Sequence, residues 1–249
     1  MLKTGSAPAA IAASHGDFEQ WFQQALNRQD HAVDIHVIDA RQWASAAQAS
    51  AVNVQDFAGI VVTGSPAMVS HQEPWSEVTA QWLQRAVAME VPTLGVCYGH
   101  QLLAYALGGS VGPNPYGYHV GTTTIELAQA GHQDALLKAF AQTPHAQVTH
   151  MERVLSLPEG AEVLATTAAD PHHAVRFGSC AWGTQFHPEF SAAITQSYVD
   201  ERHAEIRASG LDPQQVRAQV TETPAGVALM QAFLQQCLQH AQVTASVTA

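Results

Sequence analysis

Short apolar runs alternate with longer amphipathic stretches along most of this chain. Val33 to Ile38, Phe57 to Val62 and Pro92 to Val96 are dense in Val, Ile and Leu and read as strands. Thr122 to Leu127, Gln147 to His150, Glu162 to Thr167, Ala174 to Phe177 and Cys180 to Phe186 extend the series. Between them, helical spacing predicts helices over Asp17 to Arg28, over Glu77 to Met89 (with Trp75 as an alternative start), and over Tyr98 to Leu107. Ser14-x-x-Asp17 reads as a cap signature for the first, and Gly108-Gly109 closes the last. Ala192 to Ser209, Pro213 to Val220 and Ala225 to Gln239 read as three further helices, and the tail after Val243 as frayed. This alternation predicts an α/β fold: an open, mostly parallel twisted sheet with helices on both faces and some antiparallel strands. No repeat or linker interrupts it. The expectation is one domain over 1–249 with an extra helical segment over about 190–240.

One element junction carries chemistry. Gly95-Val96-Cys97-Tyr98-Gly99-His100-Gln101 joins a predicted strand to a predicted helix. A side chain there stands at the carboxyl edge of a sheet, where open α/β folds bind ligands, and beside the free N–H groups of a helix start. Both conditions favour a nucleophilic thiolate. Gly95 and Gly99 suit a cramped elbow. The alternative is a buried core cysteine. Downstream, Gln185-Phe186-His187-Pro188-Glu189 offers a base and an orienting carboxylate: side chains two apart on an extended chain face the same way, and Pro188 disfavours a helical His187. The alternative here is a solvent-facing His and Glu at a strand end.

Together these segments resemble the class I glutamine amidotransferases, whose glutaminase domains use a Cys-His-Glu triad. Val62-Thr63-Gly64-Ser65-Pro66 is similar to the family's Gly-Gly-Pro or Gly-Ser-Pro turn. His150-Met151-Glu152-Arg153-Val154, leading into Leu157-Pro158-Glu159-Gly160-Ala161, is a weaker match to its His-x-Asp-x-Val…Leu-Pro-x-Gly-Ala stretch. The resemblance implies a flavodoxin-like fold and a stand-alone, GMP-synthase-like glutaminase. It implies Cys97 as nucleophile, His187 as proton carrier and Glu189 as its partner. It also implies an oxyanion hole from the N–H groups of Ser65 and Tyr98, and glutamine contacts at Gly64 and Gln101; for Gln101 an ordinary polar helix residue is the alternative. Ammonia would pass to a separate synthase subunit or acceptor. One segment departs from the family: within Asn114 to Gly121, Tyr118 and His119 stand where relatives often carry Arg and Glu. A γ-glutamyl peptidase using the same triad is therefore an alternative, and a catalytically silent binding or regulatory subunit is a third.

Composition narrows the partners. The net charge is −11, with Lys3 and Lys138 the only lysines and no basic run, which excludes general nucleic-acid binding and disfavours anionic lipid surfaces. Cys97, Cys180 and Cys237 are odd in number and widely spaced, as in a reducing compartment. With no apolar stretch of membrane length and an N-terminus too broken for a signal core, the expectation is a cytoplasmic protein without membrane contact. The 14 histidines show neither a His-x-x-x-His nor a Cys-x-x-Cys pair, so no metal and no cofactor are expected. The charges Asp200-Glu201-Arg202 and Glu205-Arg207 read as a solvated face, with a lid or partner surface beside His187 as the rival reading.

Overall fold

The computed structural model describes residues 1–27 and 34–247. The first half of the chain runs β1 (Leu2–Lys3), α1 (Ala9–His15), α2 (Phe18–Leu26), β2 (Ile38–Asp39), α3 (Ala46–Ser50), β3 (Ile60–Val62), α4 (Pro74–Ala88), β4 (Thr93–Val96) and α5 (Tyr98–Ala106). Then come β5 (Ser110–Pro113), β6 (His119–Thr124), β7 (Glu126–Leu127), α6 (Gln129–Gln133), β8 (His145–His150), β9 (Glu152–Ser156), β10 (Ala161–Thr167), β11 (Asp170–Phe177) and β12 (Ala181–Thr184). The chain ends in α7 (Ala192–Glu201), α8 (His203–Ala208), α9 (Pro213–Ala218) and α10 (Pro224–Val247).

Eight strands form one open sheet in the order β2-β1-β3-β4-β12-β11-β10-β7. The first five are mutually parallel, and β11, β10 and β7 add antiparallel strands at one side. The predicted fold class is therefore the observed one. Two-stranded pairs β5–β9 and β6–β8 stand apart from the main sheet. Alternation along β3 explains how both faces are covered. Ile60 and Val62 join a core with Trp82, Leu83, Leu102 and Leu103 of α4 and α5. Val61 turns to the other core, with Phe18, Trp21 and Phe22 of α2 and Leu229 and Phe233 of α10.

Several boundaries differ from the sequence reading. Arg28 and Val33 lie outside the described residues, and the strand expected over Val33 to Ile38 is seen only as Ile38–Asp39, an edge strand paired with β1 alone. The cap of α2 is Asp17 itself, in a reciprocal box with Gln20, whereas the Ser14 hydroxyl bonds back to Ala10 within α1. Thr122 to Leu127 splits at buried Ile125, whose N–H donates to Pro144, so that β6 pairs with β8 while β7 joins β10. The helix expected over Ala192 to Ser209 breaks at Arg202. The chain after Val243 continues as helix to Val247. The short strands β1, β5 and β9 and helix α1 have no counterpart in the sequence reading. Two-residue β1 carries too little pattern to be read, yet it sits between β2 and β3. No helix among the described residues is long and apolar enough to cross a membrane.

Candidate active site

Three neighbouring parallel strands end at the same sheet edge. Their registers pair Val62 with Gly95 and Gly95 with Gly183, so the segments that follow β3, β4 and β12 emerge side by side. Those segments carry Gly64-Ser65, Cys97 and His187-Pro188-Glu189.

Cys97 has φ 52° and ψ −102°, a left-handed backbone that an L residue adopts at a cost of about 1–3 kcal/mol. The turn is held from both sides. A Cβ on Gly95 would lie 2.3 Å from the Gly99 carbonyl oxygen, and one on Gly99 would lie 2.4 Å from that of Val62. Only glycine lets strand and helix approach this closely. The Cys97 N–H donates to the Thr184 carbonyl at 2.8 Å, tying the elbow to β12, and its Sγ lies 3.6 Å from the Thr149 carbonyl oxygen.

His187 is pinned by its own backbone N–H, which donates to Gln147 on β8 at 2.8 Å. Its ring stacks on Phe190 with centroids 4.0 Å apart, and Phe18 lies beyond at 6.3 Å. Nδ1 is 2.7 Å from Glu189 Oε1, so the pair expected from the His-x-Glu spacing does share a face. Both side chains are buried. Burial pulls the imidazole pKa down. The Glu189 carboxylate and the Cys97 sulfur outweigh it and push His187 up to about 10. Nε2 has no partner in strict hydrogen-bond geometry, although Cys97 sulfur lies close enough to favour its charge. Such contacts commonly tighten only with a substrate bound.

The cavity at this edge has a volume of about 130 Å³ and is lined by Cys97, His187, Ser65, Tyr98 and Gln101 among others. Neither the Ser65 nor the Tyr98 N–H donates a hydrogen bond among the described residues. The Ser65 backbone lies outside the left-handed region, so a serine fits this turn unstrained. Its hydroxyl donates to the Thr4 carbonyl at 2.8 Å and accepts from Ala67 N–H at 3.1 Å, fixing the peptide. Gln101 is buried. Its Nε2 donates to the Glu152 carbonyl at 2.8 Å and to Gln185 Oε1 at 3.0 Å, which leaves its own Oε1 as the free group. Gly64 stands behind the wall rather than on it. A Cβ there would come 2.9 Å from His187 Cε1, so its smallness makes room for the imidazole.

The segment that departs from the family pattern also reaches the cavity. The Tyr118 hydroxyl is 2.5 Å from Thr149 Oγ1, and burial pushes this phenol up to about 12, so it stays neutral. His119 turns away, towards His150 and His173, with ring centroids 5.1 and 6.4 Å from its own. Burial pulls His119 down to about 4 and His150 well below its ordinary value, so both of these imidazoles stay neutral, and His150 also lines the cavity. Their positions, 119, 150 and 173, are too scattered for any spacing rule to have found them. Among the described residues, no group of three or more His, Cys, Asp or Glu is arranged to hold a metal.

Two charges of the predicted solvated face also line the cavity. Arg202 and Glu205 both line it, because the break between α7 and α8 turns this stretch towards Tyr118. Asp200, by contrast, makes an exposed ion pair with Arg217 at 2.9 Å. Ser6, Phe18, Met68 and Tyr198 also line the wall, without any signal in their local sequence.

The family model of glutamine amidotransferase class-I matches residues 14–203. The chain is 35% identical over 132 residues to the glutamine-hydrolysing GMP synthase of Aeropyrum pernix, covering 53% of this chain and 24% of that protein. It is 33% identical over 139 residues to a subunit of the glutamine-hydrolysing GMP synthase of Saccharolobus solfataricus, covering 55% and 69%. The match thus spans about a quarter of the length of the full GMP synthase, and most of the length of that single subunit. In structure the chain resembles a glutamine amidotransferase of Thermotoga maritima, with a TM-score of 0.63 at 19% identity over 89% of this chain and 91% of the other. A glutamine amidotransferase of Methylobacillus flagellatus gives 0.65 at 18% identity over 96% and 93%. With its sequence, sheet order and family match in agreement, the chain belongs to the class I glutamine amidotransferases.

Proposed function

We propose that this chain hydrolyses the side-chain amide of glutamine through a γ-glutamyl thioester on Cys97 and supplies ammonia to a separate synthase. The observation that carries the reading is the buried His187–Glu189 pair at 2.7 Å, with the other imidazole nitrogen facing the Cys97 elbow. The Cys97 thiolate attacks the amide carbon, and the carbonyl electrons move onto oxygen. The Ser65 and Tyr98 N–H groups would hold that oxyanion; one such donor is worth about 10²–10³-fold in rate. As the intermediate collapses, His187 Nε2–H gives its proton to the nitrogen and ammonia leaves. The imidazole then takes a proton from water, which attacks the thioester, and the second collapse releases glutamate and restores the thiolate. Glu189 holds the tautomer and the charge of His187 throughout. Gln101 supports the substrate through its free Oε1.

The likeness to one subunit of a GMP synthase supports a separate synthase, and the unit would span residues 1–249 with the helices after 190 as an addition. Purified protein incubated with glutamine should release glutamate and ammonia in equal amounts. Brief exposure followed by mass spectrometry should show a γ-glutamyl adduct on Cys97, and C97A should lose both signals. Full activity in C97A would overturn the mechanism. Higher kcat/KM on γ-glutamyl peptides than on glutamine would move the assignment to a peptidase.

A further inference from the structure

Arg202 and Glu205 have no part in the bond-breaking steps above, yet both face the same cavity as Cys97. Resting on the glutaminase reading, we propose that they recognise the α-carboxylate and α-ammonium of the substrate and so set its specificity for a free amino-acid head.

The chemistry of the wall supports this division. Among the described residues lining the cavity, Arg202 is the one Lys or Arg. The amide end of a γ-glutamyl substrate must sit at Cys97, which leaves its zwitterionic head to be met by other residues of a small cavity. Both ends of that head are charged and must be met. Arg202 Nη1 is 3.0 Å from Glu205 Oε1, and both side chains are about one-third exposed. That contact uses one of the five guanidinium N–H donors and one of the two carboxylate oxygens. The remaining fork of Arg202 can take a carboxylate, and Glu205 Oε2 can take an ammonium, without breaking the pair. A zwitterion therefore extends the existing ion pair into an alternating quartet of charges, whereas an uncharged head would leave both partners as they are.

The pair is also held in place. Arg202 sits at the break between α7 and α8, three residues from Glu205 on the same side of the short helix. At the far end of that helix the Ser209 hydroxyl accepts from the Tyr118 N–H at 2.8 Å and donates to the Glu205 carbonyl at 3.0 Å. Tyr118 in turn reaches Thr149, whose carbonyl lies beside Cys97 sulfur. One connected chain of contacts fixes the distance between the charge pair and the nucleophile.

The test compares glutamine with two truncated amides: 4-aminobutanamide, which lacks the α-carboxylate, and glutaramate, which lacks the α-ammonium. In R202Q the ratio of kcat/KM for glutamine to that for 4-aminobutanamide should fall about 10- to 100-fold, the range for a lost charge-assisted hydrogen bond. In E205Q the ratio for glutamine to glutaramate should fall similarly, and both losses should appear mainly in KM. Equal loss on all three amides, or unchanged ratios, would overturn the inference. If wild-type protein hydrolyses none of the three, the glutaminase reading fails, and the pair is tested by alkylation of Cys97. A chloromethyl ketone built on glutamine should then outpace its analogue without the α-carboxylate, and R202Q should abolish that preference. Equal rates in wild-type protein would overturn the inference by this route too.

Discussion

Replacing Glu189 with glutamine keeps the side chain's volume and removes only its charge, at the 2.7 Å contact with His187 Nδ1. The contact is buried, so solvent does not screen it, and a hydrogen bond to a charged partner contributes about 1.5–3 kcal/mol. The sign of its pH dependence is fixed by His187. Its pKa in the folded chain, pushed up to about 10, lies above the ordinary value near 6.5. A group raised in this way stabilises the fold fully below 6.5, and the contribution drains away as pH climbs through 10. E189Q should therefore lower Tm at pH 6 by about 3–12 °C, taking 2–4 °C per kcal/mol for a chain of this size. The deficit should shrink steadily through pH 8 and close near pH 10. Glutaminase activity should fall about 10- to 100-fold, with the loss in kcat, because the imidazolium that protonates departing ammonia is less populated. Scanning fluorimetry at pH 6, 8 and 10, beside a coupled glutamate assay, reads both effects. A Tm deficit of equal size at pH 6 and pH 10 would refute the electrostatic argument, and unchanged kcat would remove Glu189 from the mechanism.

Three more outcomes follow from single contacts. G99A places a methyl 2.4 Å from the Val62 carbonyl oxygen, so β3 or α5 must shift; a stability loss of about 1–3 kcal/mol in urea unfolding is expected, with at least a tenfold drop in kcat. F190A removes the ring stacked 4.0 Å from His187 and admits water to the imidazole, which should lower kcat and cost about 3–5 kcal/mol of stability. W82A empties the core between α4 and the sheet, away from the cavity; it should destabilise by a similar 3–5 kcal/mol while the KM of the folded fraction stays at the wild-type value.

The chemistry was legible where it depended on residues close in sequence. The glycines flanking Cys97 predicted an elbow, and the backbone there is left-handed with no room for a Cβ on either side. The spacing of His187 and Glu189 predicted a shared face, and the pair is in contact. Contributions that depend on tertiary placement stayed hidden. Arg202 and Glu205 carry the signature of any mixed-charge helix, and only the break at 202 turns them inward. That Gly64 also makes space for the imidazole shows only once His187 is placed beside it. Among the elements, most strands of four residues or more were found, whereas β1 contributes two residues and has no period to detect.

The parallel ladder of β12 on β4 has a consequence for how this enzyme comes into being. Residues 97 to 180 intervene between the two strands, and β12 must insert between β4 and the antiparallel strands that precede it in the chain. Pairing across so long a separation is slow and cooperative. During synthesis, a chain that has emerged only as far as the elbow has a cysteine with no imidazole partner. The buried base arrives with one of the last strands, so it is the assembled sheet that brings His187 to the Cys97 elbow.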